Sequence, residues 1–380
     1  MTMTAAGLIF SNIHDLSLPE LTSRRTLASV PYGCRYRLID FPLSNMVNSG
    51  ISKIGLVTHD NYQSLLDHIG TGKDWDLARR SGGIKILPPF ITAFDNNGAR
   101  RFDASRLDSL IGVKDFFERC SEDVIVLSDC DIICNIDLSK VLAQHEKTGA
   151  EITIVTCDDT NMLEKKRTEE TYSVVSDGNG VVTDIAVYDP ELSTGVISTN
   201  IIVINRIYLL SAIHEATARG YNNLYTDIIL KKCKLGGVYS YHYEHAALKI
   251  SSLESYFKAS MMLLDAEVRD DLINVIDRPI YTKLRNTAPT LYKPGSVVKN
   301  SYIADGCEIE GVVENSIIFR GVRIGKGCVV KNSVVLQGTY LGENVNFNCV
   351  VADKDVVVKD GRNLSGHTTM PFFISKGTVV

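Results

Sequence analysis

The last part of the chain carries a six-residue repeat, the feature that most constrains its fold. A hexad of small or aliphatic residues is typical of a parallel β-helix, in which each hexad forms one face of a coil. A meander of antiparallel strands is the alternative, but four hexads in phase favour the β-helix. The repeat predicts a coil over residues 295–380, whose open ends need a cap or a packing partner. Two columns keep the step of six: Val322, Cys328, Val334 and Tyr340, and, one place along, Val329, Val335, Leu341 and Phe347.

Residues 1–283 follow a different pattern, in which short apolar runs alternate with helical stretches. This alternation predicts an α/β domain with a mainly parallel, helix-covered sheet. The runs 172–176 and 181–188 flank Asp177-Gly178-Asn179-Gly180 and predict a hairpin inserted into that sheet. Residues 284–294 contain two prolines and are predicted to be the linker. The strand-like runs are 8–10, 54–58, 124–128, 152–156 and 201–204, and the helical stretches include 138–148 and 207–219.

The composition is that of a globular protein and excludes several functions. A length of 380 residues exceeds what one hydrophobic core fills, so two domains are expected. The formal net charge of −5 provides no polyanion-binding surface, so no nucleic-acid partner is expected. Apolar runs are too short for a bilayer and no signal-peptide pattern opens the chain, so we expect no membrane contact and a cytoplasmic location. The nine cysteines are scattered and are interpreted as reduced thiols rather than metal ligands.

Three blocks of the sequence closely resemble glucose-1-phosphate adenylyltransferase, also called ADP-glucose pyrophosphorylase. They are VPYGCRYRLIDFPLSNMVNSGI (Val30–Ile51), DHIGTGKDWDL (Asp67–Leu77) and GGIKILPP (Gly82–Pro89). The resemblance implies a Rossmann-like nucleotidyltransferase domain followed by a left-handed β-helix of hexapeptide repeats, assembled as a tetramer. The reaction of that family joins ATP and glucose 1-phosphate into ADP-glucose and pyrophosphate, with Mg²⁺, for glycogen or starch synthesis.

The chain departs from this family at the loop that follows the first strand. The family has a glycine-rich loop there that ends in arginine-leucine, whereas this chain has Asn12 and Ile13 and no glycine. Side chains at former glycine positions block the close approach of the backbone to phosphate. A phosphate-facing lysine in a family motif like RAKPAVP is Leu27 here. The resemblance therefore implies that the nucleotide phosphates have lost part of their site.

Further departures concern the sugar phosphate and the metal. The lysine of a family motif like FxEKP aligns with Asp189, and the lysine of GKDI aligns with Thr226. A metal-binding aspartate in a motif like RDVGTIESY aligns with Lys249, and an ammonium group repels Mg²⁺. The other metal-binding aspartate falls at Asp129 or Asp131, so a carboxylate survives there. With one of the two metal-binding aspartates replaced, the remaining carboxylate does not make a catalytic centre. No catalytic residue and no metal site is therefore predicted in this chain.

Three arginines of the family pattern are retained. Arg24, Arg25 and Arg37 match positions that, in bacterial members of the family, contribute to an anionic effector site between the two domains. Converging guanidinium groups would hold a sugar bisphosphate or sulfate firmly. The alternative is that these arginines are surface charges paired with local carboxylates such as Glu20.

The resemblance, together with these departures from it, implies a regulatory, catalytically deficient subunit of the GlgD type, in glycogen biosynthesis. We expect it to pair with the catalytic subunit in a hetero-oligomer, a tetramer by resemblance, or to self-associate when alone. The expected ligand is a sugar-phosphate effector, and no cofactor is expected, because Mg²⁺ and ATP belong to the catalytic partner. Two rival interpretations remain: an active adenylyltransferase with a divergent site, and a stand-alone sensor of sugar phosphates.

Overall fold

The computed structural model describes residues 3–79, 81–88, 105–161, 163 and 168–380. They form an α/β domain followed by a parallel β-helix, as the sequence predicts. The domain is built on a nine-stranded sheet, and the β-helix has three faces of five strands each. Pro89, the last residue of the third resemblance block, lies outside the described residues, as do residues 1–2.

The main sheet is mixed. It runs in the order β10-β9-β11-β6-β1-β4-β5, and β8 pairs with both β11 and β12. Strand β1 lies parallel between β4 and β6, whereas β11 is antiparallel to β6 and β8. The parallel part of the sheet therefore places the carboxyl ends of β1 and β6 side by side, which is where ligands bind in such sheets. The strands of this domain are β1 (Ala5–Phe10), β2 (Pro31–Tyr32), β3 (Tyr36–Arg37), β4 (Lys53–Val57), β5 (Gly83–Leu87), β6 (Val124–Ser128), β7 (Ile132–Cys134), β8 (Ile152–Asp158), β9 (Thr168–Ser176), β10 (Val182–Tyr188), β11 (Val196–Asn205), β12 (Val238–His242) and β13 (Ala247–Lys249).

Helices cover the sheet. Their bounds are α1 (Pro19–Thr22), α2 (Asp40–Asn48), α3 (Gln63–Ile69), α4 (Arg106–Gly112), α5 (Lys114–Glu118), α6 (Leu138–Thr148), α7 (Arg206–Arg219), α8 (Leu230–Cys233), α9 (Leu253–Met262) and α10 (Ala266–Leu272). Short 3₁₀ turns cover Asp15–Ser17, Leu27–Ser29, Lys73–Trp75 and Asp159–Asn161, and a π-helix covers Leu224–Ile229. Helix α7 ends at Arg219, and Gly220 caps it in the left-handed region with a φ of 67°. In the described part of the chain, no helix has the length and apolarity required to span a membrane.

The coil consists of short parallel strands stacked in three columns. They are β14 (Leu291–Tyr292), β15 (Val297–Lys299), β16 (Tyr302–Ile303), β17 (Glu308–Ile309), β18 (Val312–Glu314), β19 (Ile317–Ile318), β20 (Arg323–Ile324), β21 (Val329–Lys331), β22 (Val334–Val335), β23 (Tyr340–Leu341), β24 (Asn346–Asn348), β25 (Val350–Ala352), β26 (Val357–Val358), β27 (Asn363–Ser365) and β28 (Phe372–Ile374). Strand β14 already pairs with β17, so the coil begins within the segment predicted as the linker.

Successive turns of the coil do not add three full hexads. Stacked residues are 15 apart at Asn300 and Asn315, and 17 apart at Ser316 and Ser333. A 17-residue turn is one residue shorter than three hexads. A column predicted from a step of six residues is therefore displaced by one residue after each such turn of the coil. Val322 is buried in the coil, for example, whereas Tyr340, in the same predicted column, is 45% exposed. The repeat therefore predicts the coil correctly. It predicts which residues face inward only over part of a turn.

One face of the coil packs against the α/β domain. Ile317, Val334 and Val351, on the column β16-β19-β22-β25-β28, belong to the same hydrophobic core as Leu38 and Ile39 of the α/β domain. All nine cysteines are buried free thiols, and Cys34 lies at this junction, where its Sγ donates to the carbonyl of Ile318 at 3.4 Å. The two units therefore share one continuous core.

Candidate functional site

Five charged or titratable side chains meet at the carboxyl ends of β1 and β6. His14 lies in the loop after β1, Asp129 follows β6 directly and Asp131 precedes β7. Lys249 is the last residue of β13, and Arg106 is the first residue of α4. Strand β13 pairs with β7, which brings Lys249 opposite Ile132 and next to Asp131. We call these five residues the internal ion cluster.

The cluster is buried and densely paired. His14 Nε2 lies 2.8 Å from Asp129 Oδ2 and 3.2 Å from Asp131 Oδ2. Arg106 Nε donates to Asp129 Oδ2 at 2.9 Å, and the Lys249 ammonium donates to Asp131 Oδ2. Lys249 is 2% exposed and Asp131 is 1% exposed. Two carboxylates are thus opposed by one guanidinium and one ammonium group, all supplied by the protein.

Electrostatics in the cluster favour ionised carboxylates. Burial alone would raise the pKa of Asp129, but the Arg106 guanidinium and the hydrogen bond from His14 outweigh burial and hold that pKa far below its usual range. Burial likewise opposes protonation of Arg106, yet Asp129 keeps its pKa above the ordinary value. The pairs therefore stabilise each other, as buried ions must when water is excluded.

The residues present do not fit the Mg²⁺ ion that the resemblance implies. His14, Asp129 and Asp131 offer ligand atoms within 4.8 Å of one another, a spacing that could hold a metal ion. The Oδ2 atoms, however, already accept from Lys249 and Arg106, whose positive charges repel a divalent cation. Mg²⁺ also prefers an octahedron of oxygen ligands, and one of these three ligands is an imidazole. The Lys249 ammonium thus supplies a positive charge beside Asp131.

The loop after β1 is held closed by its own side chains. Asn12 Oδ1 accepts from Ser11 Oγ at 2.7 Å and from Thr58 Oγ1 at 3.0 Å, and Asn12 Nδ2 donates to Asp15 Oδ2 at 2.8 Å. Asp15 Oδ1 accepts the backbone N–H of Leu27 at 2.6 Å. That N–H therefore points at a side chain rather than at a ligand. The structure brings Asn12 and Leu27 together through Asp15, a link that the sequence reasoning missed.

Ile13 and Leu27 complete this closure with apolar contacts. Ile13 packs against the hydrophobic core on one side of the sheet, and Leu27, 2% exposed, belongs to the core on the other side. Neither side chain can hold a phosphate, because neither offers a donor or a charge.

A tyrosine closes the site from a third side. Where Thr226 aligns with the lysine of the family's GKDI, Tyr225 takes the place of the glycine. Its ring stacks on Tyr172 with centroids 3.9 Å apart, and its hydroxyl donates to Asn200 Oδ1 at 3.1 Å. The Arg106 guanidinium lies 5.9 Å from the centre of the Tyr225 ring, which connects the tyrosine to the internal ion cluster.

The structure does not bring the two remaining former-site positions into the cluster. Asp189 caps the turn after β10, where its Oδ1 accepts from the N–H of Glu191 at 3.0 Å. Thr226 is exposed at the start of the π-helix, and its N–H donates to Asn223 Oδ1 at 3.1 Å. Asp129, Asp131 and Lys249 do converge, as the sequence suggests, but with both aspartates facing the cluster rather than one of them.

A second site lies between the α/β domain and the coil. Its pocket has a volume of about 410 Å³, open mouth included, and within the described residues no carboxylate lines it. Burial lowers the pKa of Arg37 to about 10, although Asp40 acts in the opposite direction. His68 also lines the pocket, and burial lowers its pKa against the effect of its hydrogen bond with Asp40. We call this the cationic pocket; its charged walls are Arg35, Arg37, Lys283, Arg285, Arg320 and Lys354.

The three arginines singled out in the sequence occupy different environments. Arg37 lines the cationic pocket and its Nη1 donates to the carbonyl of Ser64 at 2.5 Å. Arg25 lies close enough to repel Arg37 and is buried against the coil, where its Nη2 donates to Asp353 Oδ2 at 2.7 Å. Arg24 is exposed and does not line the pocket. Arg25 is therefore paired across the domain junction rather than with Glu20.

The closed loop makes a testable prediction about pH. Burial raises the pKa of Asp15 to about 7, whereas an unfolded aspartate has a pKa near ~4. Between these values the folded chain binds more protons than the unfolded chain, so the free energy of unfolding falls as pH rises from about 4 to 7. Asp15→Asn removes this dependence, which is at most ~1.4 kcal/mol per pH unit for one group. Urea unfolding at several pH values measures it, and Glu20→Gln, an exposed carboxylate nearby, should leave the slope unchanged.

Two protein-family models match successive parts of the chain. Residues 17–264 match the family model "Nucleotidyl transferase", so this match begins after His14. Residues 291–369 match the family model "GlmU-like, C-terminal hexapeptide". With the three stacked parallel sheets, the second match confirms the left-handed β-helix.

Relatives extend over nearly the whole chain. The "Glycogen biosynthesis protein GlgD" of Bacillus subtilis is 32% identical over 98% of this chain and 96% of its own length. The protein of the same name from Geobacillus stearothermophilus is 36% identical over 98% of this chain and 96% of its own length. A "Glucose-1-phosphate adenylyltransferase" of Geobacillus stearothermophilus is 31% identical over 83% of this chain and 80% of its own. The chain therefore belongs to the glucose-1-phosphate adenylyltransferase family of nucleotidyltransferases, with its GlgD-type proteins of glycogen biosynthesis among its relatives.

Proposed function

We propose that this chain is a catalytically deficient, regulatory subunit that pairs with a catalytic glucose-1-phosphate adenylyltransferase and modulates ADP-glucose synthesis. One observation carries the proposal: the Lys249 ammonium binds the Asp131 carboxylate inside the cluster where a metal ion would be needed. Transfer of a nucleotidyl group requires a cation to hold the phosphates in place, and a lysine fixed to a buried carboxylate cannot be exchanged for a metal–nucleotide complex.

The closed loop supports the same proposal. A phosphate-binding loop presents free backbone N–H groups to its ligand. Here the Asp15 carboxyl group accepts the Leu27 N–H, so this N–H is not free for a phosphate oxygen. Nucleotide binding would have to break this hydrogen bond and expose Asn12, which is 6% exposed. The same chain therefore lacks both the metal and the phosphate contacts of the reaction.

Similarity to two proteins of one organism favours the role of a regulatory subunit that pairs with a catalytic subunit. Geobacillus stearothermophilus has a protein named GlgD and another named as the adenylyltransferase, and this chain is more similar to the first. A retained fold without a competent site is explained if the fold itself is needed for assembly. In this proposal Mg²⁺ and ATP bind the catalytic partner, and this chain binds no cofactor.

The regulatory part of the proposal rests on the cationic pocket. Four arginines and two lysines line one cavity at the domain junction, without a carboxylate among the lining residues that the structure describes. Arg320 is paired with Asp305 outside the cavity, where its Nε donates to Asp305 Oδ1 at 2.9 Å. Guanidinium groups that line a cavity together bind phosphate oxygens. A sugar-phosphate effector bound there would contact both domains, so its binding free energy can shift the contacts that this chain makes with a partner.

Reconstitution tests the proposal. ADP-glucose synthesis is measured for the purified chain, for a catalytic subunit from the same source, and for their mixture, each with and without fructose 1,6-bisphosphate as a sugar-bisphosphate probe. We expect the chain alone to show turnover at least about 10³-fold below the mixture, the usual scale for loss of catalytic groups. We also expect the mixture to differ from the catalytic subunit alone in maximal rate or effector response.

Two outcomes would contradict this proposal. Turnover by the chain alone comparable to that of the mixture would favour an active enzyme with a divergent site. No effect on the catalytic subunit, together with phosphate binding by the chain alone, would favour a stand-alone sensor of sugar phosphates.

A further inference from the structure

A groove lies on the coil, on a side that does not pack against the α/β domain. It is found on the side formed by β14, β17, β20, β23 and β26, whereas the α/β domain covers the side formed by β16, β19, β22, β25 and β28. Its volume is about 860 Å³, open mouth included. We call it the coil groove; the exposed residues that line it are Tyr340, Val357, Lys359, Asp360, Gly361 and Arg362.

Tyr340 gives the coil groove an aromatic wall. Strand β23 pairs with both β20 and β26, so the backbone of Tyr340 is held on two sides. The next residue, Leu341, belongs to the core of the coil, so Tyr340 points outward, and 45% of it is exposed. Val357, its register partner on β26, adds an exposed apolar side chain. The groove therefore offers a firmly placed ring with an apolar face and a polar hydroxyl.

Polar side chains stand beside this ring. Asp360 Oδ1 accepts from the backbone N–H of Glu343 at 2.8 Å, which fixes the carboxylate. This position requires the glycine at Gly342, where a Cβ would overlap with the same oxygen. Lys359 and Arg362 are exposed and form no ion pair within the described part of the chain. The groove thus combines a hydrogen-bond acceptor with ammonium and guanidinium donors.

This combination suits a neutral sugar better than an anion or an apolar segment. The apolar face of a pyranose can cover an aromatic ring, and its hydroxyl groups both donate and accept hydrogen bonds. A phosphate would be repelled by Asp360. An apolar segment would remove the charged residues from water without giving them partners.

We propose that the coil groove binds a chain of glucose units, with one ring on Tyr340 and its hydroxyl groups at the polar residues. The choice of glucose rests on the proposed function, because ADP-glucose serves the synthesis of glycogen, a glucose polymer. The groove is open to solvent, so a polymer can continue past the ring that is bound. A subunit held in this way stays beside the polymer that receives the glucose.

Calorimetry with maltoheptaose tests the proposal on the full chain. We expect saturable binding, which Tyr340→Ala should weaken about tenfold, the scale of one lost aromatic contact. Tyr340→Phe keeps the ring and should bind nearly as well as the unchanged chain. Tyr292→Ala is the matched control, because Tyr292 is 53% exposed on β14 of the same side and does not line the groove. Both alanine variants change an exposed side chain, so both should fold like the unchanged chain.

Three results would overturn the proposal. The first is the absence of maltoheptaose binding, and the second is equal binding by Tyr340→Ala and the unchanged chain. The third is displacement of maltoheptaose by inorganic phosphate, because an anion and a neutral sugar compete only at a site built for charge.

The mixture with the catalytic subunit provides a further test. Binding that still depends on Tyr340 supports a groove that is open in the assembly, whereas its loss would show that a neighbouring subunit covers Tyr340 and would contradict the proposal. A chain that binds no maltoheptaose but alters the catalytic subunit overturns the sugar site and leaves the regulatory role in place. A chain that binds maltoheptaose but has no effect on the catalytic subunit supports the sugar site and contradicts the regulatory role.

Discussion

Replacing Lys249 by methionine is expected to lower the free energy of unfolding of the α/β domain by about 3–5 kcal/mol, the usual cost of removing one partner from a buried ion pair. Asp131 is 1% exposed, so it would keep a negative charge without its ammonium partner and without water. Urea unfolding followed by the fluorescence of Trp75, the only tryptophan, reports this domain specifically. Lys140→Met, an exposed change on α6, should alter the free energy by no more than about 0.5 kcal/mol.

A double variant separates the ion pair from the packing of the lysine stem. Asp131→Asn combined with Lys249→Met removes both charges, so it should be less destabilising than the sum of the two single changes by about 1–3 kcal/mol. Additive effects, or a loss in Lys249→Met no larger than that in the surface variant, would show that the ammonium does not act as the counter-ion of the cluster.

Replacing Arg25 by methionine is expected to weaken the junction between the two domains by about 2–5 kcal/mol. Asp353, 3% exposed, would lose its guanidinium partner and keep only the N–H of Lys354 among the contacts described. Hydrogen exchange of the amides in β25, on the face that packs against the α/β domain, should speed up because local opening becomes easier.

The chain offers a close control for this change. Arg24→Met removes the same type of side chain one residue earlier, but from an exposed position, and should leave exchange in β25 unaltered. Equal exchange rates in the two variants would contradict a structural role for the Arg25–Asp353 pair.

Much of the fold can be predicted from local patterns. The apolar runs around β4, β6 and β8 and the helix α6 stand in the sequence almost as they do in the structure, because period and composition are local properties. The antiparallel direction of β11 could not be predicted in this way, since its run resembles that of a buried parallel strand. The 17-residue turns of the coil were also missed, because a repeat of six describes strands and not the corners between them.

The site was predictable only where a motif marked it. Lys249 and the two aspartates were found through the resemblance, and the structure joins them. Arg106 is 23 residues from Asp129 in the sequence and no motif marks it, so its contact depends on the tertiary fold. His14 was visible in the loop after β1, but its contact with Asp129 joins residues 115 apart in the sequence and depends on the tertiary fold.

The contact between the coil and the α/β domain also limits how another chain can approach. A triangular prism has three sides, and the side formed by β16, β19, β22, β25 and β28 is covered within this chain. A subunit that lies alongside the prism must therefore meet the side formed by β14, β17, β20, β23 and β26 or the side formed by β15, β18, β21, β24 and β27. The first of these presents Tyr340 and Val357, 45% and 38% exposed, toward such a neighbour. Because one side is covered within the protomer, two protomers that lie side by side along the coil can contact each other only through these two remaining sides.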